Sequence, residues 1–225
     1  MLKNTLQKNP VFECLDENNL TLAVRIANTH SYPKGQWIAH MGAHWPYLFM
    51  VQEGIIQAIK ESSEGRSLIV TEIKSGELFW GISFFLPDAP MPVALVAKEE
   101  TRLILWAEED LKPLILRNGC LAWELTRLMI RKMQYASDML NDFAFQPTTG
   151  RLARMLLEAY GDKAGDFVAR DMTLDEMAAR IGSTREMVCR HLYQFADQGV
   201  IQIKRTEFKI VDEGLLREIA GGDNR

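Results

Sequence analysis

Arg185, Glu186 and Arg190 are the residues whose types and spacing point most directly to recognition chemistry. On a helix turning about 100° per residue, with Arg185 set at 0°, Cys189, Glu186 and Arg190 fall within about 140° of it. Val188, Leu192 and Phe195 fall on the far side, between about 280° and 340°, as an apolar stripe. A guanidinium can bond a guanine edge bidentately, and a carboxylate can accept from cytosine N4. Two arginines and a glutamate at the start of an exposed helical face therefore suit insertion into the DNA major groove. On an ordinary solvated face the same residues would form only a cap and an i,i+4 pair. The surrounding frame decides between the two.

That frame is a helix-turn-helix pattern. Thr173 with Glu176 and Ser183 with Glu186 form two capping boxes ten residues apart. Gly182 stands between them, where a tight turn needs a residue tolerant of positive φ, and Ala178 lets the helices approach closely. Beyond the second helix, Gly199–Val211 alternates apolar and polar residues around Lys204-Arg205-Thr206-Glu207, which predicts a two-stranded wing. Lys204 and Arg205 at its tip are placed to reach phosphates. The chain carries a net charge of −4 and a pI near 5.7, which excludes an indiscriminate nucleic-acid coat. Arg180–Lys209 nonetheless holds six basic residues against three acidic ones. The positive charge is concentrated where the reading residues lie.

The remaining elements must position this segment. With 225 residues, 47% hydrophobic and 25% charged, the chain has room for two cores and a linker. Residues 1–20 read as a helical lead-in anchored by Leu15, Leu20 and Leu22. Residues 31–108 alternate short apolar runs with turn residues, which predicts an antiparallel sandwich or roll. From Glu109 to Phe145 the apolar spacing becomes helical. Leu114, Leu121, Leu125, Leu128, Tyr135, Met139 and Asp142 step by threes and fours as an a/d-like seam that includes Asn118 and Lys132. A seam of this length predicts a self-pairing helix, the alternative being a helix packed on its own sheet. Pro147 ends it, and Thr148 or Thr149 can cap the helix that follows. The expected class is α+β: a β-roll over 1–108, a central dimerisation helix over 109–146 and a winged helix-turn-helix over 147–225.

Other chemistries find little support. Cys14, Cys120 and Cys189 are odd in number and widely spaced, so they read as small apolar fillers in a reducing cytoplasm, with no disulfide framework or metal pair. His40 and His44 have the helical spacing of a metal pair, but their surroundings read as strand and turn. No GxSxG, HExxH or P-loop pattern occurs, so the sequence does not read as an enzyme. No run approaches the length of a membrane span or a signal-peptide core, which predicts a cytoplasmic protein without membrane association.

Ser183–Leu192 resembles the recognition helix of the CRP/FNR family of bacterial transcription regulators. Phe145–Leu157 is similar to that family's hinge and first C-terminal helix, and Gly54 and Gly76-Glu77-Leu78-Phe79 follow its cyclic-nucleotide-binding-like roll. The resemblance covers nearly the whole chain. It implies a homodimer on a palindromic double-stranded DNA site, with RNA polymerase as a further partner. Arg185, Glu186 and Arg190 match the base-reading residues of the CRP branch, which implies half-sites like TGTGA; Cys189 stands where that branch has Gly.

The sensory residues depart from the same branch. Its cyclic-AMP pocket would need Gly-Glu at Trp80-Gly81 and Arg-Ser at Met91-Pro92, so the ribose-binding carboxylate and the phosphate-binding arginine are both missing. A buried phosphate without them would go unpaired. An iron–sulfur cluster would need more N-terminal cysteines than Cys14, and a haem of the carbon-monoxide regulators would need a histidine near Ile82. The expected effector is small and apolar or aromatic, lined by Trp80, Gly81, Met91, Pro92, Leu95, Met133, Tyr135 and Ser137. The alternatives are a haem- or redox-responsive regulator, with His30, His40 or His44 as haem ligands, and an effector-independent one.

Overall fold

The computed structural model describes residues 2–221. By contact the chain divides into two compact units, Met1–Lys60 with Ile69–Tyr135, and Glu61–Leu68 with Ala136–Arg225.

The first unit opens with helices α1 (Leu2–Gln7) and α2 (Glu17–Arg25), the latter capped by Asp16, whose carboxylate accepts from Asn19 N–H at 2.8 Å. Eight strands follow: β1 (Asn28–Tyr32), β2 (Trp37–Ala39), β3 (Tyr47–Glu53), β4 (Ile55–Glu61), β5 (Ser67–Lys74), β6 (Leu78–Trp80), β7 (Ala94–Ala97) and β8 (Thr101–Ala107). They form two four-stranded sheets in the orders β1-β8-β3-β6 and β2-β7-β4-β5. This is the antiparallel roll that the spacing of apolar runs predicts.

Strands β3 and β8 explain why two of those runs are unbroken. They pair antiparallel with Leu48 opposite Trp106, Phe49 opposite Leu105 and Met50 opposite Ile104. Side chains alternate across the sheet. Phe49, Val51, Leu103 and Leu105 enter the core between the sheets, while Leu48, Met50, Ile104 and Trp106 enter a second core under the helices. A strand covered on both faces cannot afford a polar residue on either. Leu6, Val11, Phe12 and Leu15 complete the helix-side core, with the Phe12 and Trp106 rings 5.0 Å apart. The buried indole N–H of Trp106 donates to Ala23 O at 2.8 Å. Asn9 donates to Gly76 O at 2.8 Å and so ties the lead-in to the β5–β6 turn.

After the roll come α3 (Glu108–Arg117) and α4 (Gly119–Phe145). The sequence predicts one seam running through Asn118. Here Asn118 instead separates the two helices, and its side chain accepts from Leu121 N–H at 3.0 Å. The seam residues Leu121 and Leu125 are fully enclosed in the helix-side core, with Leu128 half-buried against it. Lys132 lies 4.0 Å from Glu77 and sits over the Phe79 ring at 5.8 Å. This face of α4 is therefore the one packed on its own roll. An opposite apolar face, Trp123, Ile130, Met133 and Leu140, is exposed. Periodicity detects a stripe but cannot say which surface covers it.

The cysteines also depart from expectation. Cys14 and Cys120 are joined as a disulfide with Cα atoms 6.2 Å apart, and Cys189 is free. The lead-in folds back on the first turn of α4, a proximity that a separation of 106 residues does not announce.

In the second unit, α5 (Thr148–Tyr160) starts directly after Pro147, without the threonine side-chain cap the sequence suggests. It packs with α6 (Leu174–Ile181), α7 (Arg185–Asp197) and α8 (Glu213–Ile219) around Leu152, Leu156, Val188, Phe195 and Leu216. The wing has three strands, β9 (Val168–Ala169), β10 (Ile201–Ile203) and β11 (Glu207–Ile210), in the order β10-β11-β9. The predicted hairpin gains β9, whose two residues are too short to leave a pattern.

Truncating Phe12 tests the role assigned to the lead-in. Phe12→Ala should destabilise the roll by about 3–5 kcal/mol in urea unfolding, whereas an exposed neighbour such as Glu13→Ala should change it by less than about 0.5 kcal/mol.

Candidate nucleic-acid interface

The two helices of the motif are set by their caps. Thr173 caps α6 in a complete box: Glu176 N–H donates to its hydroxyl at 3.1 Å, and Thr173 N–H donates to the Glu176 carboxylate at 2.7 Å. The helix ends at Gly182, with φ 60° and ψ 49°, in the left-handed region. The second cap differs by one residue from the predicted box. Thr184, not Ser183, is the N-cap of α7 and accepts from Met187 N–H at 3.3 Å. Glu186 therefore does not close a box at the third helical position and projects from the first turn.

This start of α7 puts Arg185, Glu186 and Arg190 on the exposed face, with Ser183, Thr184 and Cys189 half-buried beside them. Its own backbone N–H, the Thr184 hydroxyl and the Arg185 guanidinium hold the Glu186 carboxyl below the usual carboxylate range. It is thus an acceptor, as cytosine N4 recognition requires. Arg185 pairs with Asp175 of α6 at 3.2 Å, both groups exposed. An ion pair this open is weak and leaves the guanidinium free to exchange partners. Asp175 was not singled out by sequence, because a carboxylate in a first helical turn is ordinary.

At the wing, Lys204 and Arg205 are exposed at the tip. Lys204 lies 3.4 Å from Glu207, with its ammonium over the Phe167 ring at 3.5 Å. Lys209 reaches the same ring at 5.9 Å. Phe167 thus gathers two cations on one surface, and no sequence signal linked it to the wing.

The end of α4 holds the motif from behind. A Cβ at position 182 would lie 2.5 Å from the Phe143 ring, so only glycine leaves room for it. Arg151 stacks on that ring at 4.9 Å, donates to Ile181 O at 2.9 Å and donates to Gln146 O at 2.7 Å. Arg154 pairs with Asp142 at 2.6 Å. Helix α6, the hinge residues and the last turns of α4 are therefore one bonded assembly.

His191 occupies the buried side of α7, 8% exposed, and neither ring nitrogen has a hydrogen-bond partner among the described residues. A buried polar ring without partners costs stability.

The residues expected around an effector do not converge. Met91 and Leu95 are buried in the inter-sheet core, whereas Trp80 packs against the helix-side core, stacked on Phe79 at 5.4 Å. Gly81 is buried and Pro92 exposed, and Met133, Tyr135 and Ser137 are exposed on α4. Of the expected dimer positions, Tyr135 is exposed and Met139 half-buried. Among the described residues no cluster of three or more His, Cys, Asp or Glu could hold a metal, and no helix is long and apolar enough to cross a membrane.

A β-roll followed by a long helix and a winged helix-turn-helix defines a two-part DNA-binding regulator. Comparison with known proteins agrees in both parts. The family model for a cyclic nucleotide-binding domain matches residues 29–118, and that for a Crp-like helix-turn-helix domain matches residues 150–219. Among relatives, the cyclic AMP receptor protein of Thermus thermophilus is 28% identical over 96% of this chain and 99% of its own length. A CRP-like cAMP-activated global transcriptional regulator of Mycobacterium tuberculosis is 23% identical over 94% of this chain and 96% of its own. Among solved structures, a crp/fnr-family protein of Eubacterium rectale superimposes with a TM-score of 0.80 at 19% identity, covering 95% of this chain and 98% of its own. The chain belongs to the CRP/FNR family of transcription regulators and carries that family's DNA-binding helix-turn-helix.

Two substitutions test the internal bonding of this unit. His191→Leu should raise its stability by about 1–2 kcal/mol, read as a higher thermal or urea midpoint. Gly182→Ala should lower it by at least about 1 kcal/mol, because the new methyl meets Phe143 and the left-handed conformation is strained.

Proposed function

We propose that this protein acts in the cytoplasm as a homodimer that reads a palindromic DNA site with TGTGA-like half-sites. The observation that carries this reading is the exposed face at the start of α7, where Arg185, Glu186 and Arg190 stand together with their inward neighbours buried. In this reading Arg185 and Arg190 bond guanines and Glu186 faces cytosine. Ser183, Thr184, Lys204 and Arg205 contact phosphates, which fixes register without reading sequence. RNA polymerase is the proposed partner of the DNA-bound dimer, and catalysis has no place in this account.

The second apolar face of α4 supports the dimer. Trp123 is 65% exposed, Met133 67% and Leu140 69%, with Ile130 between them. The steps 123 to 130 and 133 to 140 are each seven residues, joined by a step of three. That is a heptad seam. These residues replace Leu121, Leu125, Leu128 and Lys132 as the proposed pairing positions, because the latter are engaged by the roll of their own chain.

The controlling signal is proposed to be a small apolar or aromatic effector other than cyclic AMP. A Cβ at position 81 would lie 1.8 Å from Trp45 O, so this backbone admits no carboxylate side chain there. Met91, where the phosphate-binding arginine would stand, is 2% exposed within the apolar core. Both features argue against a cyclic nucleotide, although the relative in Thermus thermophilus is named for cyclic AMP. Effector binding would shift an equilibrium between two dimer states that differ in DNA affinity.

On a palindromic TGTGA-like duplex, Arg185→Ala should weaken binding by about 1–3 kcal/mol and relax selectivity at one base position. A loss spread evenly over all sequences would contradict the assignment. Ile130→Glu with Met133→Glu should give a monomer in analytical ultracentrifugation while the roll and winged domain stay folded. A doubly substituted protein that remains dimeric would place the interface elsewhere.

A further inference from the structure

The Cys14–Cys120 pair has no part in DNA reading, and its surroundings have the properties of a redox-responsive site. Cys120 is exposed and Cys14 half-buried, which places the bond near the surface and not sealed in the core. Leu6, Phe12 and Leu121 share the helix-side core, each 0% exposed, so apolar packing holds the lead-in and α4 together alongside the bond. Exposed disulfides of this kind are the labile ones, in contrast to those sealed in a core. Cys120 is also the second residue of α4, in the first turn whose Leu121 N–H is taken by Asn118. A helix N-terminus favours the thiolate, and Cys14 stands beside it as the resolving thiol.

We infer that Cys14 and Cys120 form a reversible thiol–disulfide switch whose oxidation state sets the DNA affinity of the protein. The oxidant is a low-molecular-weight disulfide. The Cys120 thiolate attacks one of its sulfurs, forming a mixed disulfide and releasing one thiolate. The Cys14 sulfur then gives up its proton and attacks the Cys120 sulfur, expelling the second thiolate. The two released thiolates take up the two protons lost by the protein. Two protein thiols are oxidised by two electrons, and the small disulfide is reduced to two thiols.

The bond acts on the helix that both units share. Oxidation pins the first turn of α4 to the lead-in, and reduction leaves that turn held by packing only. Further along, the last turns of α4 are bonded to the helix-turn-helix through Phe143, Asp142 and Arg151. A change in how firmly α4 is anchored at one end is thereby felt by the element that positions Arg185. This step rests on the DNA-binding reading above, and the readouts below separate the two.

The test uses the full-length protein equilibrated in buffers of varied glutathione to glutathione-disulfide ratio. Intact-mass alkylation counts free thiols, and DNA binding is measured on the same samples. The expected result is three free thiols in reducing buffer and one, Cys189, in oxidising buffer, with DNA affinity changing by about fivefold or more between them. Cys14→Ser and Cys120→Ser should each hold one affinity in both buffers; agreement between the two variants guards against either one misfolding. Equal DNA affinity in the oxidised and reduced wild-type protein would overturn the inference while leaving the DNA-binding reading intact. So would a bond that millimolar thiol does not reduce, or one that forms between chains or with Cys189. Absence of DNA binding in every sample would overturn both readings.

Discussion

The Phe143 ring lies where any side chain at position 182 would have to be. That exclusion joins the last turns of α4 to the turn between α6 and α7, and the orientation of the exposed face of α7 follows from it. Arg151 secures the joint by stacking on the ring and donating to the carbonyls of Ile181 and Gln146. The guanidinium thus satisfies a helix-terminal acceptor and a hinge acceptor at once, which apolar packing could not do. The Pro147 break is consequently a bonded corner, and the C-terminal unit begins inside α4, at Ala136.

The roll is organised by a different constraint. Over Leu48–Val51 and Leu103–Trp106, strands β3 and β8 are covered on both faces, so each of these residues belongs to one of two cores. The helix-side core recruits the lead-in and one face of α4. Once that face is used, the second apolar face of the same helix stays exposed among the described residues, which supports the proposed self-association. The sensory departures follow from the same packing. Gly81 is held against Trp45 O and Met91 fills core volume. The places where a nucleotide-binding branch would keep a carboxylate and an arginine are occupied by backbone and by an apolar side chain.

Much of this was legible in the sequence because the signals were local. The Thr173 box, the left-handed Gly182 and the charged face of α7 are all set by residues within one or two turns of each other. The roll was legible from the rhythm of its turns. What escaped depended on distant partners. The two stripes of α4 could not be sorted without the roll that covers one of them. The Cys14–Cys120 bond joins residues 106 apart, and the two-residue strand β9 and the cation-gathering Phe167 leave no periodic mark. The α7 cap moved from Ser183 to Thr184 because adjacent hydroxyls compete for the same role, and only the backbone decides between them.

The central claim is that α7 reads bases and does so twice, once from each chain of a dimer. Selection of binding sites by the purified protein from a pool of random duplexes tests it most directly. The account predicts enrichment of a twofold-symmetric site with TGTGA-like halves, their centres about one helical turn of DNA apart. Enrichment of an asymmetric single site, or no enrichment above the starting pool, would contradict it.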